Sequence, residues 1–192
     1  MPFGRPVAEL LPMKTLPFLC AMLLLFLGCT SGPALLPEGA RVLSGVPFFP
    51  QEDYRCGPAA LATVMNYWYA RSGSAVRTSI DEIAQAIYSP GARGVLPTDL
   101  ENYPRKKGFV TEQFTGSIGR LRENIDRGIP VILLVDHGLS VYRLDHFLVA
   151  TGYTGDGIIV NSGREERQVV SNSELEKAWK KTGYWALRLF PS

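Results

Sequence analysis

The sequence is poor in the residues that build covalent and metal frameworks, with three cysteines and two histidines in 192 residues. Three Cys exclude a multi-disulfide scaffold. Two His without a Cys cluster exclude the usual tetrahedral zinc sites. There is no surplus of one charge either, since 20 Lys and Arg against 18 Asp and Glu leave +2. A nucleic-acid binder needs a strongly basic face, and none is visible. The short Arg105-Lys106-Lys107 run reads as a solvated helix end. No Gly-x-x-x-x-Gly-Lys-Ser/Thr phosphate loop occurs, so ATP is not an expected partner. No apolar run reaches the ~18–20 residues of a transmembrane helix. Internal repeats and low-complexity tracts are absent, and no metal or organic cofactor is expected.

What is present begins with an N-terminal segment that does not belong to a folded core. Lys14 precedes an apolar run from Leu16 to Leu27, which has the dimensions of a signal-peptide core. The run ends in Leu25-Phe26-Leu27-Gly28-Cys29, which resembles the lipobox of bacterial lipoproteins. That resemblance implies removal of residues 1–28 and a diacylglycerol on Cys29. Residues 1–12 hold Glu9 and three prolines, so Met13-Lys14 makes the better start of the signal. Residues 29–44, with Ser31, Gly32, Pro33, Pro37 and Gly39, read as a tether from lipid to domain. Residues 45–192 form the expected domain, a length that suits one core. Thr30 after the lipidated Cys resembles lipoproteins of the outer membrane, so the expected place is the cell envelope, at the periplasmic face of that membrane in a diderm cell.

The cysteine count then becomes informative. Cys20 leaves with the signal and Cys29 carries lipid, so Cys56 is the one thiol of the expected domain. Cys56-Gly57-Pro58 opens a predicted helix to about Ala70, with Leu61, Val64, Met65 and Trp68 at helical spacing. Capping boxes at Ser79–Glu82 and Thr98–Glu101 predict two more helices, the first ending at Tyr88 and the second before Gly108. Ser117 to Arg127 predicts a fourth, closed by Gly128. Strands are predicted at residues 131–135, 147–151, 157–160, 167–170 and 184–190, with a short helix capped at Ser173 between the last two. Helices first and strands second is an α+β order, and its simplest arrangement is a helical lobe packed on a central antiparallel sheet.

The residues able to carry chemistry cluster around that thiol. Cys56 stands at a helix start, where unpaired N–H groups and the positive end of the dipole favour a thiolate nucleophile. Gln51, five residues upstream, is placed to share an oxyanion with the Cys56 backbone N–H. His146 opens a strand and suits a base that takes the thiol proton and returns it to a leaving amine. His137, in a loop before Gly138, reads as exposed or cleft-lining. A third group should orient the imidazole. Asn161 and Ser162 end the next strand, and because neighbours on a strand face opposite ways, one of the two is expected to meet the ring.

Three segments together resemble the C39 and C39-like peptidase family: Val46-Pro47-Phe48-Phe49-Pro50-Gln51, Cys56-Gly57-Pro58-Ala59-Ala60-Leu61, and His146-Phe147-Leu148-Val149-Ala150-Thr151-Gly152-Tyr153. The likeness runs over about residues 45–190. It implies a papain-like fold, Cys56 as nucleophile, His146 as base and Gln51 in the oxyanion hole. Family members cut peptide leaders after a double glycine. They usually carry an Asp-Pro pair after the strand that follows the histidine. Counting without gaps from His146, those positions are Ser162 and Gly163. The resemblance therefore implies a peptidase for a peptide or protein substrate, with its third triad member altered. Two other functions fit the same residues: a degenerate module that binds a peptide or partner without cutting it, and an amidase or transpeptidase acting on cell-wall peptides.

Overall fold

The computed structural model describes residues 1, 36–50, 55–92, 94–139 and 142–192. The chain falls into two units, Met1–Leu35 and Leu36–Ser192, and every element below lies in the second. The signal core, Cys29 and Gln51 lie outside the described residues. Among the described residues no helix is long and apolar enough to cross a membrane.

Helix α1 (Cys56–Arg71) is the spine of the domain, with Gly57 through Tyr67 all buried. The sequence suggests a single apolar stripe ending at Trp68. Instead the helix is enclosed on every side, and Trp68 is only half-buried. The small residues Ala59, Ala60 and Ala62 make this possible, since they let neighbours approach all around the axis. Two helices follow, α2 (Ile80–Ile87) and α3 (Pro97–Lys106). Ser79 caps α2 as expected, its Oγ accepting the Glu82 N–H at 3.0 Å. Helix α3 is not capped by the Thr98 box. Leu96 is its N-cap residue and has no side-chain bond, while Pro97 fills the first position, where a missing N–H costs nothing.

The remaining elements are strands β1 (Arg41–Val42), β2 (Phe109–Thr115), β3 (Val131–Asp136), β4 (Asp145–Tyr153), β5 (Gly157–Ser162), β6 (Glu165–Ser171) and β7 (Trp185–Pro191). Between them lie helices α4 (Ile118–Asp126) and α5 (Asn172–Trp179) and a 3-10 turn, Lys180–Thr182. The strands form one sheet in the order β2-β7-β3-β4-β5-β6, with β1 also paired to β4. All pairings are antiparallel. Strand β1 falls within the segment read as a tether. Strand β2 was not anticipated: its alternation Phe109-Val110-Thr111-Glu112 starts directly after a helix stop and is largely polar.

All six residues of β3 are buried, so the sheet must be covered on both faces. Its alternation shows how. Ile132 and Leu134 join Leu61, Met65, Ile83 and Leu100 of α1–α3. Val131, Leu133 and Val135 join Leu121 of α4 and Leu175 and Trp179 of α5. The α+β class and the central antiparallel sheet hold, and helices pack on both of its faces. The cap of α5 also sits two residues earlier than expected, at Ser171, whose Oγ accepts the Glu174 N–H at 3.3 Å.

Candidate active site

Cys56 is the first residue of α1, half-buried and free. Its backbone N–H belongs to the first turn and has no partner within the helix. The helix start fits tightly because Gly57 follows. A Cβ at Gly57 would lie 2.1 Å from Val95 Cγ2, 3.2 Å from Leu100 Cδ1 and 3.4 Å from Phe147 Cδ2. Only glycine lets the helix that begins at Cys56 seat against both the α2–α3 loop and strand β4. Burial pushes the Cys56 thiol up, and the carboxylate of Asp145 adds to this. The backbone N–H groups of Phe147, Gly57 and Cys56 itself pull in the opposite direction but do not win. The helix start alone points to an easily formed thiolate; desolvation overrides it.

His146 stands at the second position of β4, beside the Phe147 N–H that faces the Cys56 sulfur. Its Nε2 lies 3.0 Å from Ser162 Oγ. Among the described residues no hydrogen bond joins the ring to Cys56 Sγ; such bonds often tighten only around a substrate. With Nε2–H donating to Ser162, Nδ1 is the unprotonated nitrogen left to act as a base. Burial lowers the His146 pKa to about 4, with a further push from the His137 ring, whose centroid is 6.0 Å away. Both members of the pair are therefore neutral near pH 7.

Of the two residues expected at the third position, Ser162 meets the ring and Asn161 does not. Asn161 is buried, and its Oδ1 accepts the Arg167 N–H at 3.0 Å. Arg167 has a left-handed φ of 56°, and the β5–β6 pairing slips between Val160 and Ser162. Asn161 thus holds an irregular hairpin together, facing away from the imidazole as strand alternation requires. Cys29 and Gln51 lie outside the described residues, so neither lipidation nor the side-chain half of the oxyanion hole has a geometry here.

The base side contains residues that the sequence did not single out. Asp136 ends β3, and its Oδ1 accepts the N–H groups of Gly138 (2.7 Å) and Leu144 (2.8 Å). These bonds hold its carboxyl below the usual range. Lys181 Nζ donates to the carbonyls of Asp136 (3.2 Å) and Gly138 (2.5 Å). Thr182 Oγ1 donates to Leu134 O at 2.6 Å. The 3-10 turn thereby fastens the β3–β4 connection that carries His137 and leads into His146. Asp145 is occupied by Arg143, which reaches both carboxylate oxygens at 3.0 and 3.1 Å. Among the described residues no cluster of three or more His, Cys, Asp or Glu side chains could hold a metal ion.

A half-buried cysteine at a helix start, beside a strand-borne histidine with a polar partner, is the working arrangement of papain-like enzymes. Solved structures agree with that fold. A C39-like peptidase from Bacillus anthracis superposes with a TM-score of 0.65 at 18% identity, over 81% of this chain and 99% of the other. The peptidase domain of Streptococcus ComA, a bifunctional ABC transporter of a quorum-sensing pathway, gives 0.60 at 25% identity, over 77% and 99%. A Carica candamarcensis cysteine protease gives 0.54 at 16% identity, over 82% and 99%. Among curated proteins, no sequence matches. The Peptidase_C39 like family matches residues 43–187, most of the chain and both Cys56 and His146. The chain belongs to that family.

Proposed function

We propose that this protein is a cysteine peptidase that cleaves a peptide or protein substrate at the cell envelope, held there by lipid on Cys29. The observation that carries the reading is the juxtaposition at β4: the Phe147 N–H faces the Cys56 sulfur, and the adjacent His146 ring rests on Ser162. A raised thiol and a lowered imidazole mean that the proton moves during attack and not before it. His146 Nδ1 takes the thiol proton as the sulfur bonds to the scissile carbonyl carbon. The resulting oxyanion is held by the Cys56 N–H and by Gln51. Collapse breaks the C–N bond, the imidazolium protonates the leaving amine, and water then hydrolyses the thioester.

Labelling with iodoacetamide, together with a peptide-cleavage assay, tests this directly. Cys56→Ala is expected to abolish both signals, and His146→Ala to lower cleavage by about 10³-fold or more. Cleavage that survives His146→Ala unchanged sinks the assignment of the base. The anchor is tested separately: Cys29→Ala is expected to move the protein from the membrane fraction to the soluble fraction.

Ser162 in the place of a carboxylate supports a second reading, a module that binds peptides without cutting them. A hydroxyl orients an imidazole but does little to stabilise its cation. That reading expects peptide binding by the wild type with no turnover, and binding unchanged in Cys56→Ala.

A further inference from the structure

The end of β3 that leads toward His146 lacks a neighbouring strand on one side. Strand β7 pairs with β3 at Ile132 and Leu133 and begins at Trp185, so β3 runs on past it. Carbonyls two residues apart in a strand point to the same edge, and a buried carbonyl left without a donor is costly. The carbonyls of Leu134, Asp136 and Gly138 form such a series, and two side chains of the 3-10 turn stand in for the missing strand. Thr182 Oγ1 donates to Leu134 O at 2.6 Å. Lys181 Nζ donates to Asp136 O at 3.2 Å and to Gly138 O at 2.5 Å.

The turn itself is firmly held. It follows Trp179, which is fully buried and donates its indole N–H to Trp185 O at 2.7 Å. The Thr182 hydroxyl also lies 2.8 Å from Trp179 O, so it ties β3 to the end of α5. The chain leaves the turn through Gly183 and Tyr184, both left-handed, with φ of 67° and 59°. Glycine adopts that conformation freely, whereas a tyrosine there is strained. Such strain persists only where the surroundings over-determine it, and it gathers at functional sites.

What the turn braces is the backbone on both sides of His146. In the β3–β4 register Leu134 stands opposite Phe147, and Asp136 opposite Asp145, the two neighbours of His146. Asp136 Oδ1 also accepts the Leu144 N–H at 2.8 Å. Phe147 in turn presents its N–H to the Cys56 sulfur. The placing of the imidazole against the thiol thus depends on three carbonyl contacts made by two side chains. We propose that Lys181 and Thr182 are positioning residues for the peptidase reaction, bracing β3 so that His146 stays in line with Cys56. This rests on the peptidase reading above. Loosening the brace slows proton transfer during attack and leaves substrate binding alone, because neither side chain acts on the substrate.

The test uses the full chain in detergent, with a peptide that the wild type cleaves. Lys181→Met and Thr182→Val each remove donors at little change of size. Each is expected to lower kcat by about tenfold with KM unchanged, since small displacements of reacting groups are costly. Lys181→Arg and Thr182→Ser restore donors and should recover most of the loss. A loosened His146 meets more water, which lifts the pKa that burial holds at about 4. The acid limb of the pH–rate profile should therefore move to higher pH in Lys181→Met, a change that a mere loss of folded protein would not produce. An active wild type whose kcat is unchanged in both donor-free variants overturns this proposal alone. So does a raised KM at constant kcat, or a loss of kcat that Lys181→Arg and Thr182→Ser share in full. A wild type with neither cleavage nor Cys56 labelling by iodoacetamide sinks the peptidase reading and this proposal together.

Discussion

Cys56 begins a helix whose next eleven residues are buried among apolar neighbours, whereas His146 follows a loop fastened by a carboxylate, a lysine and a threonine. Cys56 is positioned by shape: α1 cannot shift without opening the core against β3, β4 and β7. His146 is positioned by directed polar contacts, ending in a single hydroxyl, Ser162. Packing resists small displacements steeply and tolerates little change of volume. Hydrogen bonds set orientation and charge, and they can be retuned by one substitution without disturbing a core. The Cys side is thus the invariant half of the site by construction, and the His side is where reactivity is adjusted.

The largest break in that comparison is expected at Gly57. Gly57→Ala places a methyl into Val95 and should destabilise the domain by about 1–3 kcal/mol, read as a lower urea midpoint. If the domain stays folded, a displaced nucleophile should lose about 10²-fold in kcat/KM. Adding Val95→Ala should recover part of both. An additive double variant would show that the contact is not the cause.

On the other half, Ser162→Asp is expected to raise activity, by about tenfold. A carboxylate 3 Å from Nε2 favours the imidazolium and lifts the His146 pKa from its low value, so proton transfer from the thiol becomes easier. The check is the rate of iodoacetamide labelling at pH 7, which should rise with it. A slower reaction would mean that burial of the new carboxylate outweighs its attraction.

The lowered His146 pKa also predicts how stability depends on pH. The ordinary value is 6.5 and the folded value is about 4, so between them the unfolded chain binds a proton that the native state refuses. His146 therefore subtracts stability as pH falls from about 6.5 to about 4. Its contribution is fully favourable above that window. Denaturation midpoints across pH 4–7 should fall less steeply in His146→Gln than in wild type.

The smallest effect is expected at His137. Removing an imidazolium 6 Å away relieves about 0.7 kcal/mol at a water-like dielectric constant, or about 0.5 pH unit. His137→Asn should move the acid limb of the pH–rate profile up by about that amount and leave the plateau unchanged.

These two halves were not equally legible in the sequence. Cys56-Gly57-Pro58 and the Ser79 and Ser117 caps are local signals, and the helices start where those residues place them. The buried run of β3 was equally plain. The choice between Asn161 and Ser162 was not, because it depends on the β4–β5 register, which pairs Val149 with Asn161 and which no local pattern announces. Strand β2 was missed because Thr111, Glu112 and Gln113 dilute its apolar alternation, its partner being β7, 70 to 82 residues away. The loop clamp was invisible for a similar reason. Asp136 and Lys181 look like ordinary surface charges until the fold brings them together.

That β7 lies between β2 and β3 has a consequence for the order in which the sheet can assemble. Strands β3 to β6 pair with one another directly, but β2, made before them, cannot join their sheet until residues 185–191 arrive to bridge it to β3. The turn at Lys180–Thr182, which fixes the His146 loop, arrives at nearly the same moment. Long-range pairing of this kind is slow to form. A partly made chain thus carries its thiol beside a His146 loop that is not yet fastened, and the Cys56–His146 pair is complete only when almost the whole domain is present.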